Sequence, residues 1–548
     1  MKIGVFLAYM PGVKLGSEGL GRYIGNLIKG FTEDQNEVSI ACPKWLVESL
    51  YDLFEDFHIS EDSVQVITTR EMPTLWRLYM KFSEKKEETR PGRKERVIRS
   101  FSDLVDYLIT KILRISNIVL FSLLAVLGLL VFLALLPLAL VLGVLALAAW
   151  AVLKLVKKQK HTIGDLFAKF SNGHRLYSRS RETLLEFAYN ALYRQTVGTL
   201  VRKANRKKID TWFVPTLFWP EAVRIKALTV FAAPDLVTME FPFPFADAPG
   251  SLTATKRCEE TVKKGEYFIT YGDFIKYDVL MKRYGKGEDH VASVAHINNS
   301  SLPYVDAYYH KDNEVSRMIH CRDSFCRELL YRLPPYSTQK EQLTGFDFEN
   351  VEYIFYASQQ RPHKNIINLL KAYEYLLREK DIDFKLFLTC DLNFDPGIAN
   401  YIAEHHLENY VISFQRIPVQ LLSALYCCAK LIVTPTLYEG AFLSFTVGEG
   451  MSVGTPCIMG TIPQVLERIP SRYPIENILF DPHNYMDMAE KILYGMDHAE
   501  ELYAEELPMY EDIASRTGAI VSRDYIRTFD HFRQVKEAEE KREGKYVA

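Results

Sequence analysis

The chain has 548 residues, of which 48% are hydrophobic and 25% charged, with a formal net charge of -3. A chain of this length divides into two to four compact units. Its ordinary globular balance excludes a disordered, collagenous or coiled-coil protein, and its near-neutral charge gives no reason to expect nucleic acid as a partner.

Residues 3–8 are apolar and read as a first strand rather than a signal peptide, because no basic region, apolar core and small-residue cleavage site precede them. The globular parts are therefore expected in the cytosol. A loop over residues 10–21 carries Pro11, Gly12, Gly16, Gly19 and Gly21, and a helix follows with Leu20, Tyr23, Ile24, Leu27, Ile28 and Phe31 on one face. A glycine-rich turn feeding a helix N-terminus lets a phosphate or sugar approach backbone N–H groups at the positive end of the helix dipole.

The mean hydropathy of -0.07 conceals one block. No charged residue occurs between Ile115 and Leu153. About 39 residues at 1.5 Å rise would give a helix near 58 Å, roughly twice the hydrocarbon thickness of a bilayer. Pro137 divides the block into two crossing-length halves. Lys111 and Arg114 precede it and Lys154, Lys157, Lys158 and Lys160 follow it, so the positive-inside rule puts both ends in the cytosol. A transmembrane or re-entrant helical hairpin over residues 115–157 satisfies both constraints. Further basic residues (Lys85, Lys86, Arg90, Arg93, Lys94, Arg96, Arg99, then Arg202, Lys203, Arg206, Lys207 and Lys208) are expected to hold the protein against anionic lipid headgroups.

Beyond the block, strands are predicted at residues 211–215, 228–232, 267–270 and 291–297. From residue 350 the alternation becomes regular. Strands at 353–357, 384–388, 411–414, 431–435 and 456–459 are separated by helical patterns at 366–377, 419–428 and 444–453, which imply βαβ units and a parallel sheet. Ligands of such sheets bind beyond the carboxyl ends of the strands. The eight cysteines are scattered, with no zinc spacing, and read as inert buried thiols.

Two strand-to-helix loops are rich in polar chemistry. The first is Ser358-Gln359-Gln360-Arg361-Pro362-His363-Lys364-Asn365, which aims two cations from a helix N-terminus. The second is Pro435-Thr436-Leu437-Tyr438-Glu439-Gly440-Ala441-Phe442, followed by Glu449-Gly450-Met451-Ser452-Val453-Gly454-Thr455-Pro456. With Leu479-Phe480-Asp481-Pro482, and with Glu18-Gly19-Leu20-Gly21-Arg22-Tyr23-Ile24 near the start, these stretches resemble the family 4 glycosyltransferases. The likeness covers most of residues 1–35 and 205–505, and the stretch 435–456 is its most specific part.

The resemblance implies an α/β chain of GT-B fold with two Rossmann-like domains, here with the membrane hairpin inserted in the first. The expected division is a domain over residues 1–300 interrupted at 115–157, a linker over 301–349, a nucleotide-sugar-binding domain over 350–505 and terminal helices over 506–548. It also implies retaining transfer of a sugar from a nucleotide-sugar donor. Lys364 and Arg361 would bind the donor diphosphate, and Glu439 would contact the donor sugar. Gly440, Ala441, Phe442 and Leu443 would close over sugar and phosphate, Glu449 would bind the ribose, and Gly19 and Gly21 would line the donor site. No metal or other cofactor is expected, because cations and helix dipoles would stabilise the leaving diphosphate.

Three departures from the family pattern stand out. The loop between Glu439 and Glu449 is two residues longer. Ser358 and Gln359 stand where an arginine is common, which leaves Arg361 as its substitute. Ala233-Pro234-Asp235-Leu236 replaces the family's His-Asp pair, while His296 reads as a structural histidine near the interdomain region. The acceptor would approach the half that carries the membrane insertion, which points to a lipid-linked saccharide and to an enzyme on the cytoplasmic side of a cell inner membrane. Two other readings of the same fold are a nucleotide-sugar epimerase and a non-catalytic membrane scaffold that binds nucleotide sugar.

Overall fold

The computed structural model describes residues 1–17, 19–69, 191–234, 236–241, 251–296, 322–440, 445–467, 469, 472–473 and 476–542. The expected hairpin at 115–157 and most of its basic flanks lie outside these residues. Among the described residues no helix is long and apolar enough to cross a membrane.

The described strands form two parallel sheets. The first contains β1 (Lys2–Phe6), β2 (Glu37–Cys42), β3 (Val64–Thr68), β4 (Thr211–Val214), β5 (Leu228–Ala233), β6 (Tyr267–Thr270) and β7 (Val291–Ser293) in the order β3-β2-β1-β4-β5-β6-β7. The second contains β8 (Tyr353–Tyr356), β9 (Lys385–Leu388), β10 (Val411–Ser413), β11 (Leu431–Thr434), β12 (Cys457–Gly460) and β13 (Leu479–Phe480) in the order β10-β9-β8-β11-β12-β13. Both show the doubly wound order in which the chain leaves its first strand toward one edge and returns to build the other. In register, Val5 stands beside Ile40 on one side and Phe213 on the other, while Ile354 stands beside Leu386 and Leu431. The central strands are buried along their length because helices cover both faces, so they read as unbroken apolar runs rather than alternating ones.

Each sheet has its own core. In the first, the helix Gly19–Glu33 buries Tyr23, Ile24, Leu27, Ile28 and Phe31 against the sheet, the face expected from their spacing. In the second, the helix Ile366–Glu379 buries Ile366, Leu369, Leu370, Tyr373 and Leu376 in the same manner.

The two terminal helices divide between the cores. Ala499–Ala514 contributes Leu502 and Met509 to the second core, whereas Gly518–Arg542 returns to the first, with Val521, Tyr525, Phe529 and Phe532 all buried there. Within the stretch expected as terminal helices over 506–548, the described residues thus contribute to both cores. The return is built on a close crossing at Gly30, where a side-chain carbon would come within 2.2 Å of the Ser522 hydroxyl. Tyr23 and Tyr525 hydrogen-bond hydroxyl to hydroxyl in the interior, and Tyr525 lies edge-on to Phe213 at 5.4 Å between centroids. At the crossing, Arg516 donates from Nε to the Ala295 carbonyl at 3.1 Å and pairs with Asp524 at 2.7 Å.

Candidate active site

In the second sheet, β8 and β11 are neighbours whose following helices depart toward opposite edges. Their exit loops therefore diverge and leave a crevice at the carboxyl end, the usual ligand position in such a sheet. The loop after β8 carries Arg361, His363, Lys364 and Asn365, and the loop after β11 carries Thr436, Tyr438, Glu439 and Gly440.

The two loops are laced together by backbone and side chain. The Leu437 N–H donates to the His363 carbonyl at 2.8 Å, and the Thr436 hydroxyl donates to the same carbonyl at 3.3 Å. Asn365 is the central fastener. Its backbone is left-handed, with φ 57°, and it is 5% exposed. Its amide nitrogen donates to Pro435 O at 2.9 Å and Pro482 O at 2.7 Å, joining the ends of β8, β11 and β13. Asn tolerates this backbone better than most residues, and the amide supplies donors that glycine could not. The helix Ile366–Glu379 begins directly after it, so the positive end of that helix opens at the crevice.

Lys364 and Glu439 are thereby brought together, with Nζ 2.6 Å from Oε1 and the two side chains 18% and 14% exposed. An ammonium has three N–H donors, so a bond to Glu439 leaves capacity for an incoming anion. Tyr356, fully buried at the end of β8, has its phenol pushed well above its ordinary range by burial and then by the nearby Glu439 carboxylate. His363 is buried as well. Burial, with Lys364 and Arg361 adding positive charge, lowers its imidazole to about 3 and keeps it neutral.

Arg361 does not converge on the pair. It is exposed and donates to Gln359 Oε1 at 2.9 Å. Glu449 is on the helix Phe445–Ser452 and is 8% exposed. That helix is pinned over the end of β8 by the Thr446 hydroxyl donating to the Ala357 carbonyl at 3.1 Å. The neighbouring Tyr426 phenol is held protonated by burial and then by the Glu449 carboxylate. Gly440 is described, whereas Ala441, Phe442 and Leu443 lie outside the described residues. Gly19 opens the first long helix, and Gly21 packs against its own loop: a side-chain carbon there would fall 1.8 Å from the Leu15 carbonyl oxygen.

The first unit closes over the crevice from the opposite side. The Leu236 N–H donates to the Tyr438 hydroxyl at 2.9 Å, and the Phe274 N–H donates to Glu467 Oε2 at 2.7 Å. His296 packs with its ring centroid 4.9 Å from Tyr23, 4.9 Å from Tyr271 and 5.9 Å from Phe445, a position between the two units. Tyr438, Glu467 and Asn365 were not singled out from sequence. For Asn365, the asparagine that ends the Arg-Pro-His-Lys run was the available signal. Among the described residues no group of three His, Cys, Asp or Glu stands close enough to hold a metal ion.

Residues 339–505, within the second unit, match the family described as "Glycosyl transferases group 1". The O-antigen chain mannosyltransferase B of Escherichia coli is 25% identical over 145 residues, covering 26% of this chain and 36% of that relative. The chain thus matches about a third of the length of that curated protein. Among solved structures, Anabaena HepE in complex with UDP and glucose superposes with a TM-score of 0.50 at 11% identity, covering 97% of this chain and 100% of that one. A glycosyltransferase from Rickettsia africae gives a TM-score of 0.48 at 13% identity, with 97% and 98% covered. The HepE likeness, together with the two parallel doubly wound sheets, is consistent with a GT-B arrangement of two Rossmann-like units.

Proposed function

We propose that this protein is a retaining, membrane-associated glycosyltransferase of family 4. It would transfer a sugar from a nucleotide-sugar donor to a lipid-linked saccharide in polysaccharide or envelope glycan synthesis. The observation that carries the reading is the Lys364–Glu439 pair at 2.6 Å, set across the β8/β11 crevice inside a glycosyl transferases group 1 domain. In this reading Lys364 and the helix N-terminus behind it hold the donor diphosphate and stabilise the charge that grows on it as the glycosidic bond breaks. Glu439 receives hydroxyls of the donor sugar, and Glu449 receives those of the ribose. Arg361 is exposed at the rim and would meet the diphosphate after reorientation. Ala441, Phe442 and Leu443 would complete the sugar pocket, and Gly19 and Gly21 would face it from the first unit. The charge is handled by lysine and helix dipole, so the reaction proceeds without a metal ion.

The acceptor class rests on the apolar block at 115–153, interrupting the first unit, and on its basic flanks. The catalytic units would lie on the cytoplasmic face of an inner membrane rich in anionic lipids. Support for a saccharide acceptor comes from the similarity to the Escherichia coli O-antigen mannosyltransferase.

The test is a donor screen, including UDP-glucose and GDP-mannose, read by nucleoside diphosphate release with native membranes as acceptor source. Release that requires membranes and disappears in Glu439→Ala is expected, with the sugar bound to the acceptor in the same anomeric configuration as in the donor. Conversion of a donor to its epimer without membranes would overturn the reading. Deletion of residues 118–153 is expected to free the protein from membranes and impair use of the lipid acceptor.

A further inference from the structure

The donor loop is tied to the first unit through one tyrosine. Tyr438 directly precedes Glu439 and is 4% exposed. Its ring sits with Val237 and Phe241 in a small apolar cluster separate from both main cores, with Phe241 edge-on at 6.0 Å. Its hydroxyl accepts the Leu236 N–H at 2.9 Å, across 202 positions of sequence. Both partners stand where ligand chemistry is expected. Leu236 follows β5, so its loop lies beyond the carboxyl end of the first sheet, and Tyr438 lies beyond the carboxyl end of β11 in the second.

This is also the loop in which Pro234 replaces the family's histidine, so the segment is gripped here through its backbone. On the Tyr438 side the loop has little freedom of its own. Its backbone is held by the Thr436 hydroxyl, and Leu437 is held by the His363 carbonyl beside Lys364. Movement of the first-unit loop is therefore transmitted to the residue that pairs with Lys364, and a buried hydrogen bond between two such loops favours one relative placement.

We propose that Tyr438 is a positioning residue that locks the donor loop to the acceptor-side loop at Leu236, so that Glu439 is aligned only when the two units are closed. This rests on the reading of the crevice as the donor site. The contact does not bind the donor itself. It sets the fraction of molecules in which the carboxylate and the acceptor surface face one another, which governs turnover rather than donor affinity.

Tyr438→Phe keeps the ring in its cluster and removes the acceptor oxygen. An ordinary hydrogen bond corresponds to about a tenfold change in an opening equilibrium. Hydrogen–deuterium exchange of the Leu236 amide is therefore expected to quicken about tenfold in the variant, and that of the Phe274 amide, held by Glu467 across the same closure, to quicken with it, while the Ile269 amide within the first sheet is unchanged. With UDP-glucose or GDP-mannose, whichever the wild type uses, kcat is expected to fall by twofold to about tenfold with donor KM within twofold. Unchanged exchange at Leu236, or a loss confined to donor KM, overturns the proposal. If the variant does not fold, the wild type decides: a Leu236 amide that exchanges as fast as an open loop also overturns it. A wild type inactive on every donor would instead count against the functional reading, and the exchange measurement would still decide whether the tyrosine contact forms.

Discussion

The Lys364 ammonium donates to the Glu439 carboxylate at 2.6 Å, bridging two loops that are 75 positions apart in sequence and leave the sheet on either side of its reversal point. Each partner is mostly shielded from water, so loss of either one strands a charge. Lys364→Met and Glu439→Gln are each expected to lower kcat/KM by about a hundredfold, or about 2.7 kcal/mol of transition-state stabilisation. Thermal melts should separate structure from chemistry. Each single variant is expected to be less stable than the wild type, while the double variant recovers stability without activity, because no unpaired charge remains. Recovery of activity in the double variant would mean that the pair is only a structural brace.

Asn365 combines a left-handed backbone with two buried amide bonds. Asn365→Gly accepts the backbone but loses both bonds, at an expected cost of about 1–3 kcal/mol in urea unfolding. Asn365→Ala loses the same bonds and adds about 1 kcal/mol of backbone strain. Equal stability of the glycine and alanine variants would show that the backbone conformation is of no consequence.

His363 makes stability depend on acid. Its folded-state imidazole titrates near 3, far below the ordinary 6.5, so between those values the unfolded chain takes up a proton that the folded chain refuses. Stability is fully present above pH 6.5 and is lost as the pH falls through this window, by up to about 1.4 kcal/mol per unit. Urea midpoints measured from pH 7 to pH 4 are expected to fall less steeply in His363→Gln than in the wild type. Parallel curves would exclude the imidazole as the cause.

Phe529 is fully buried in the first core, although it belongs to the last helix of the chain. Phe529→Ala is expected to cost about 3–5 kcal/mol, because the cavity opens beside Phe31 and Phe213. Limited proteolysis should then cut the first unit well before the second. Simultaneous loss of both units would show that the two cores unfold as one.

The sequence marks those features whose signal is local. The strand and helix at 353–356 and 366–379 follow from unbroken apolar runs and a 3.6-residue stripe, and Lys364 and Glu439 are singled out by the family likeness of the two loops that carry them. Long-range choices are different. The stripe Val521, Tyr525, Phe529 and Phe532 announces a buried face, but nothing within that helix says that its partner is the helix beginning at Gly19, because any apolar surface would satisfy it. The grip of Tyr438 on Leu236 is equally silent, since the donor is a backbone N–H that every non-proline residue has. Arg361 shows the converse: a cation at a promising position turns to Gln359 rather than to the Lys364–Glu439 pair.

The path of the last helix also sets the order in which the protein can be completed on the ribosome. The second unit is contiguous, and its described elements are all synthesised once Ala514 has emerged. The first unit, whose strand β1 precedes every element of the second, lacks one wall of its core until Phe532 has left the exit tunnel. The unit begun earlier of the two is therefore finished later, and from the emergence of Phe213 until that of Tyr525 the apolar faces of Tyr23 and Phe213 await a helix not yet made, an interval in which a chaperone or a wrong partner competes for them.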